Sequence, residues 1–518
     1  MEIYRLALCL LLCSHQLCAD SIWSHIPGLG TIQLTELNTE QHLLLAQHLK
    51  LNPEETELWL SQIPRLLDSF SCSSLEVQSQ SLPAYIAPDY KVISYAGLLK
   101  WFSSDRSKKT VWWLPWQMLP LLSELNVRLS VLDLKLHQPL LVAERQLGQK
   151  GQFILISGSF SPTYFALLLN DPEHPELLWT VSPSDAAFAN LSGAMAQPLL
   201  LEEQSPKPLV SQLAVLLPNT AAAEQKTLLY KVDLWTGVAQ ARLDAAQSIS
   251  SLSGALAIYD QNRDSHFDTL LLGTKEGQIW QTQIENNQFY GLEIVADLKG
   301  LKFSDIQFIR SVYAAVPAGG SGSDFHSRRS QWLLLLAALQ QQDSVLVVLK
   351  LQSGQSSFSS DLVNRTLPEV PENAVFTEHD WYLLQQKHGW YSLLGGRLTQ
   401  MPIVVAGVLY LSLISSASDQ YCDLAQVTAE LLALHLHHGS SVYRQAVLPL
   451  EKTAGAFAVT TNAKGGFALV ETNKRQVLIS NLLEISPDCI HCSKVMQQQS
   501  FPRWHLMGTY QNEEGAYE

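Results

Sequence analysis

Short apolar runs broken by polar turns repeat along this chain from about residue 82 almost to its end. Each unit reads as strand, turn, strand, and the turns carry Asp-Pro, Thr-Gly, Glu-Gly or His-Gly. The pattern is clearest at residues 94–104, 165–181, 228–243, 270–284 and 431–447. Because one such hairpin cannot bury its apolar face alone, the units must stack. The alternative way of stacking, a solenoid, requires a repeat that is shorter and more regular than the one in this chain.

Radial stacking of four-stranded sheets predicts an all-β chain with a β-propeller fold. About 430 residues fill six to eight blades, and we expect about seven, as in quinoprotein dehydrogenases. Between blades, residues 317–330 are rich in Gly and Ser and are expected to form a flexible loop. The tryptophans, notably Trp112, Trp113 and Trp116, are expected to fill the interfaces between blades.

The first 82 residues have a different pattern. Residues 1–19 carry one Arg near the start and an apolar core over residues 6–12, which predicts a secretory signal peptide. Cleavage is expected after Ala19, but Leu17 occupies a position where a small residue is preferred, so the sequence does not fix the cleavage site. Residues 20–82 have helical spacing, with a helix start at Asn52-Pro53, and predict a small helical extension before a propeller domain at 83–518. The apolar run 402–414 is too short for a membrane helix and contains Gly407, a hairpin signal.

The cysteines agree with export to an oxidising compartment. Beyond the signal peptide the chain has Cys72, Cys422, Cys489 and Cys492, which predict one or two disulfides. Four cysteines allow three pairings, and the sequence does not choose between them. The spacing of Cys489 and Cys492 also suits a redox motif or half a metal site, but no second such pair follows.

The formal net charge of −14, with 34 scattered Lys and Arg residues, argues against nucleic acid or an anionic membrane as partner. A surface that binds phosphates requires clustered positive charge.

One loop, within residues 258–280, combines side chains suited to a metal ion. Asp260, Asn262, Asp264 and Asp268 occupy positions 1, 3, 5 and 9, and the carbonyl of His266 occupies position 7. Oxygen ligands at these positions form the first two-thirds of an EF-hand-type loop. The loop therefore predicts a Ca²⁺ site.

A solvated acidic hairpin turn is the alternative interpretation of this loop, because Asp and Asn are common in turns. The sharp bend of an EF-hand loop usually has Gly at position 6, where this chain has Ser265. A His437-His438 pair elsewhere is expected to lie in a turn, since no third ligand is spaced to join it.

These units, in this order, resemble the C-terminal propeller domain of the PilY family of type IV pilus biogenesis and tip proteins. The resemblance runs from about Val92 to Leu506. Its motifs are a Trp-rich second strand, an Asp-Pro turn before Leu-Trp, an Asp-x-x-Thr-Gly hairpin, the acidic loop, and later Gly-Trp and Pro-Val runs. They occupy residues 95–125, 156–181, 228–243, 255–284 and 388–413.

The resemblance implies an exported, non-enzymatic protein in the periplasm, at the outer-membrane surface or at the pilus tip. It would bind Ca²⁺ through Asp260, Asn262, Asp264, Asp268 and the His266 carbonyl. Its expected partners are minor pilins or other pilus-assembly proteins, with host or abiotic surfaces as a further class. Longer family members have a large N-terminal region, often with an adhesion-type domain, and here about seventy residues stand in its place.

Two other functions stay open at the level of sequence. A calcium-stabilised scaffold for the cell envelope has the same residue requirements as a pilus factor. A quinone-dependent dehydrogenase has the same blade architecture. The dehydrogenase is less favoured because the chain has no vicinal cysteine pair and its sequence shows no regular Trp-docking repeat.

Overall fold

The computed structural model is mostly β-structure, arranged in short, mainly antiparallel sheets. It describes residues 21–26, 29–69, 80–81, 90–95, 98–103, 110–114, 119, 140–147, 150–158, 163–169, 171, 173–192, 197–203, 212–219, 227–245, 249, 252–263, 267–285, 288–315, 330–340, 343–351, 356–366, 384, 386–398, 400–414, 429–442, 447–450, 457–461, 467–471, 477–480 and 482. The signal peptide, Trp116, residues 317–329 of the expected loop and all four cysteines lie outside these ranges, so the expectations about them stay predictions; Ser330, the last residue of that stretch, lies in a strand.

The described strands group into seven sheets, in agreement with the expected blade number. The first three sheets lie between residues 21 and 244. The first contains β1 (Ser21–Ile26), β2 (Gly30–Gln33), β3 (Gln80–Ser81), β4 (Tyr90–Tyr95), β5 (Leu98–Ser103) and β6 (Val111–Trp113). The second contains β7 (Leu140–Leu147), β8 (Lys150–Gly158), β9 (Tyr164–Leu168) and β10 (Glu176–Val181). The third contains β11 (Leu199–Glu203), β12 (Gln212–Pro218), β13 (Thr227–Asp233) and β14 (Ala239–Asp244).

Four further sheets follow, each built mainly from strands adjacent in sequence. The fourth contains β15 (Leu252–Tyr259), β16 (Thr269–Thr274), β17 (Gln278–Glu285), β18 (Gln288–Asp297) and β22 (Ser357–Phe358). The fifth contains β19 (Asp305–Ala315), β20 (Ser330–Gln340), β21 (Asp343–Lys350), β23 (Leu362–Asn364) and β24 (Gly389–Leu393). The sixth contains β25 (Arg397–Leu398), β26 (Ile403–Val405), β27 (Val408–Ile414), β28 (Ala429–His435) and β29 (Val447–Leu450), and the seventh contains β30 (Phe457–Thr461), β31 (Phe467–Glu471) and β32 (Val477–Ile479).

The predicted hairpins are confirmed as antiparallel strand pairs. They are β4–β5, β9–β10, β13–β14, β16–β17 and β28–β29, and the turn at Gly407 joins β26 to β27. Among the described residues, no helix is long and apolar enough to cross a membrane.

The prediction of a helical extension over residues 20–82 is wrong near both of its ends: strands lie within residues 21–33, and residues 80–81 form β3, which pairs with β4. Residues 21–26 and 30–33 form β1 and β2, and β1 pairs in parallel with β6, with Ser21 opposite Val111. Pairing with a strand about ninety residues away is a tertiary effect that local periodicity does not encode. The helices that follow are α1 (Thr39–Leu49) and α2 (Pro53–Ser69).

Both helices begin where side chains cap their first backbone amides. Asn38 caps α1, with its Oδ1 accepting the Gln41 amide at 2.8 Å. At the start of α2 the Asn52 Oδ1 accepts the Glu55 amide at 2.8 Å, and Glu55 accepts the Asn52 amide in return. The predicted start at Asn52-Pro53 is thus confirmed as a capping box. The boundary at residue 82 lies outside the described residues and stays a prediction.

By its contacts the chain divides into two compact units. The first comprises the described residues up to Leu200 and the 233–238 turn, and the second comprises the rest. Within the first unit, the first and second sheets pack through Leu99, Trp101 and Trp113 against Phe165 and Leu167. The centroids of the Trp113 and Phe165 rings are 6.3 Å apart. Trp113 therefore fills an interface between sheets, as predicted.

Within the second unit, successive sheets pack face to face. Apolar residues of the fourth and fifth sheets share one buried cluster, residues of the fifth and sixth share another, and residues of the sixth and seventh share a third. Each fully buried Leu or Val contributes about 1.5–3 kcal/mol relative to an exposed one. The sheets are therefore held together by apolar faces on both sides, as blades are.

In the part of each unit that the structure describes, a tryptophan is docked on a glycine turn. In the first unit, Trp179 donates its indole N–H to the Leu234 carbonyl at 2.8 Å and covers Gly237. In the second, Trp390 of β24 donates to the Leu436 carbonyl at 2.9 Å and covers Gly439. The sequence shows no regular repeat because indole and carbonyl are 55 residues apart in one case and 46 in the other.

Gly439→Ala is expected to destabilise the second unit. Gly439 has φ of 69°, and a Cβ there would lie 2.7 Å from Cε3 of Trp390. The left-handed backbone costs about 1–2 kcal/mol for Ala, and displacing the indole adds about 1–3 kcal/mol. Gly395→Ala is the matched control, because Gly395 has φ of 64° and nothing within 4 Å of its Cβ position. Urea unfolding should show the larger loss for Gly439→Ala, and equal losses would contradict the docking role.

Candidate metal centre

The predicted calcium loop connects β15 to β16 of the fourth sheet. Tyr259 and Thr269 form the last residue pair of these strands, so the loop projects from the end of the sheet. Asp260 is buried, with 8% of its surface exposed, whereas Asn262 is exposed and Asp268 is half-buried. Asp264, Ser265 and His266 lie outside the described residues, so their roles stay predictions.

Asp268 joins the two ends of the loop through its side chain. Its Oδ1 accepts the Gln261 amide at 2.8 Å and the Thr269 hydroxyl at 2.8 Å, and its Oδ2 accepts the Asn262 amide at 3.4 Å. The carbonyl of Asp268 accepts the Ile284 amide at 2.7 Å, which ties it to β17. The carboxylate is thus fixed against the first turn of the loop.

Asp260 closes that first turn. Its carboxylate accepts the backbone N–H of Arg263, three residues further along. Arg263 has φ of 63°, the left-handed region that favours Gly. The described part of the loop therefore has a left-handed bend at position 4.

A polar network supports the base of the loop. Gln283 donates from Nε2 to Gln261 Oε1 at 2.9 Å, and the Thr269 hydroxyl lies 3.2 Å from the same oxygen. The Tyr259 hydroxyl donates to Gln281 Oε1 at 3.1 Å. Burial first, and then the negative charge of Asp268, raises the pKa of Tyr259 well above its ordinary value. Tyr259 is therefore neutral at physiological pH and acts here as a hydrogen-bond donor.

The donors in the described part of the loop fit a hard cation in kind. Carboxylates of Asp260 and Asp268 and the amide oxygen of Asn262 are the oxygen ligands that Ca²⁺ prefers. Asp268 Oδ2 accepts the Asn262 amide, and a carboxylate oxygen with one hydrogen bond keeps a second lone pair that an ion could use. The parts of the chain that the structure describes hold no cluster of three His, Cys, Asp or Glu suited to a metal. A complete ligand set thus depends on Asp264 and His266.

Arg263 and Tyr313 are the residues near the loop that the sequence did not reveal. Arg263 donates from Nη1 to the Tyr313 hydroxyl at 2.6 Å, across 50 residues of sequence. Only its place among the candidate ligands could have drawn attention to Arg263, and no local signal connects it to Tyr313.

The His437-His438 pair lies in a turn, as expected. His438 contacts Ser440, with 2.7 Å between Nδ1 and Oγ, and its ring lies 4.3 Å from that of His435. Gly439 in the same turn lies beneath Trp390. This turn therefore belongs to the docking contact between the fifth and sixth sheets.

Comparison with protein-family models and with curated proteins finds no match. Comparison with solved structures finds the C-terminal domain of PilY1 from Pseudomonas aeruginosa, with a TM-score of 0.51 and 13% identity, over 76% of this chain and 97% of that domain. Sqt1 from Chaetomium thermophilum matches with a TM-score of 0.32 and 15% identity, over 68% of this chain and 67% of that one. Sqt1 from Saccharomyces cerevisiae matches with a TM-score of 0.29 and 9% identity, over 62% of this chain and 81% of that one. Their TM-scores are too low to support an argument. The match to PilY1 shows that this chain has a β-propeller fold like that of the PilY1 C-terminal domain, as the sequence motifs predicted.

Proposed function

We propose that this chain is an exported, calcium-binding β-propeller that acts in type IV pilus biogenesis, as a tip or assembly factor that binds minor pilins. The observation that carries the proposal is the likeness to the PilY1 C-terminal domain, which spans 97% of that domain. The order of sequence motifs along the chain supports it independently. The protein acts by binding rather than by catalysis, and surfaces are a further class of partner.

The acidic loop gives this proposal a mechanism. Asp260, Asn262, Asp264, Asp268 and the His266 carbonyl would hold the ion, which would supply positive charge and rigidity at the end of the fourth sheet. The chain already fixes Asp268 against Gln261 and Asn262, so part of the loop is ordered before an ion binds. A bound ion changes the affinity of the loop for a partner only if the ion itself binds two states of the loop with different affinities.

Calcium is expected to raise the melting temperature of the mature protein. At about one hundred times the Kd, ligand binding to the folded state adds about 2.7 kcal/mol to the free energy of unfolding. Asp264→Ala should abolish the rise and leave the melting temperature in chelator nearly unchanged. Asp171→Ala removes an exposed turn carboxylate outside the loop and is the matched control. A rise of equal size in Asp264→Ala would contradict the ligand assignment.

Minor pilins are expected to co-purify with the protein in calcium and to be lost with Asp264→Ala. A strain lacking the protein should have fewer pili, and the wild-type gene should restore them where the Asp264→Ala gene does not. Asp171→Ala serves again as the control. Normal piliation in the deletion strain, with no pilin captured, would favour the envelope scaffold instead. Turnover of an alcohol or sugar with added quinone would reverse the non-enzymatic assignment.

A further inference from the structure

Residues 356–366 supply the outermost strand of two neighbouring sheets, and we call this segment the strap. Its first part, β22, pairs with β18 at the edge of the fourth sheet, and its second part, β23, pairs with β24 at the edge of the fifth. Both pairings are parallel, whereas β15 to β18 and β19 to β21 with β24 pair antiparallel. One continuous segment therefore joins the fourth and fifth sheets along their outer edges.

The backbone pairing of the strap is short. The paired residues of β22 are Ser357 and Phe358, and those of β23 are Leu362–Asn364. By comparison, β20 pairs with β21 over the whole run of residues 333–340. Parallel pairs are also slightly less stable per residue than antiparallel pairs. Backbone hydrogen bonds alone therefore hold the strap less firmly than the strands beneath it.

The strap also buries little of its own surface. Two of its eleven residues, Ser357 and Leu362, are buried. Leu362 belongs to the apolar cluster shared by the fourth and fifth sheets, and Val363 packs against the cluster shared by the fifth and sixth. Phe358, in contrast, has 53% of its surface exposed. Because segments with few buried apolar contacts open at a lower free energy than the core, the strap is expected to open before the sheets do.

Two residues just before β24 hold the middle of the strap. Lys387 donates from Nζ to the Ser360 carbonyl at 3.1 Å, and His388 donates its backbone N–H to the Asp361 carbonyl at 3.0 Å. The Nδ1 atom of His388 also lies 3.0 Å from Oγ of Ser357. Each of these bonds replaces a bond to water, so its net contribution to stability is small. They direct the path of the strap more than they stabilise it.

We propose that the strap is an exchangeable strand, which covers the edges of β18 and β24 until an extended segment of a partner protein replaces it. The strap itself shows which chemistry these edges accept. The incoming segment runs parallel to β18 and β24, with a small polar residue in the place of Ser357 and an apolar residue in the place of Leu362. Sheet edges bind peptides in this way, through main-chain hydrogen bonds for affinity and side-chain pockets for specificity. This role goes beyond the proposed pilus function and does not depend on the calcium site.

The test uses a fluorescent synthetic peptide with the sequence of residues 356–366 as the incoming segment. Fluorescence anisotropy should show that it binds the Leu362→Ala form of the mature protein at least tenfold more tightly than wild type. The shortened side chain loosens the strap of the protein, whereas the peptide still carries the full Leu. The apparent affinity for the peptide then rises with the fraction of molecules whose strap is open.

Two altered peptides show whether the peptide occupies the place of the strap. A peptide with Leu362→Ala should bind the Leu362→Ala protein at least tenfold more weakly than the unaltered peptide. A peptide with Phe358→Ala is the matched control and should bind within about threefold of the unaltered one, because Phe358 is exposed. Exchange is overturned if the Leu362→Ala protein binds no peptide, or if it binds the Leu362→Ala peptide as tightly as the unaltered one.

Hydrogen exchange of the wild-type protein gives a second measurement, which serves if Leu362→Ala does not fold. The backbone N–H of Arg365 is donated to the Tyr391 carbonyl at 2.7 Å, so it reports on the attachment of the strap. After correction for intrinsic rates, it should exchange at least tenfold faster than the N–H groups of β20, which lies between β19 and β21. Exchange as slow as that of β20 would show that the strap is a permanent part of the sheets.

Discussion

The fold depends on sheets that are apolar on both faces, so that no sheet is stable without neighbours. The fifth sheet shows this most clearly. In β20, Leu334 and Leu336 pack against the fourth sheet, whereas Leu333 and Leu335 pack against the sixth. Successive side chains of a strand point to opposite faces. A run of consecutive Leu residues is therefore what a strand between two other sheets requires, and it explains why these strands do not alternate apolar with polar residues.

Burial of both faces also decides where polar chemistry can lie. Charged side chains make up 16% of the chain, and the buried cluster shared by the fourth and fifth sheets is built from apolar residues. An unpaired charge between two sheets is strongly unfavourable, so acidic side chains are accommodated more easily at strand ends and turns. The acidic loop follows this rule: it begins where the pairing of Tyr259 with Thr269 ends. The buried carboxylate of Asp260 is accommodated there by bonding to the loop backbone.

Local features of the fold could be read from the sequence, and non-local ones could not. The hairpins were predicted because a turn such as Thr-Lys-Glu-Gly and its flanking strands are contiguous in the chain. The pairing of β1 with β6 was missed, since residues 21–33 carry no signal of a partner near Val111. The docking of Trp390 on Gly439 was missed for the same reason. At the candidate metal centre, the sequence placed Asp260 and Asp268 in one loop but gave no indication of Tyr313, fifty residues away.

The position of the bend connects the shape of the loop with its charge. An EF-hand loop bends at a Gly in position 6, and this chain has Ser265 there and a left-handed residue at Arg263. That conformation costs about 1–2 kcal/mol for a residue with a Cβ. The backbone bond to Asp260 and the side-chain contact with Tyr313 offset it. Because the residue that forms the bend also carries a positive charge, whatever holds its side chain acts on the backbone and on the electrostatics of the loop together. A glycine at the bend would form the turn without adding a charge, whereas Arg263 contributes to both the backbone conformation and the charge of the loop.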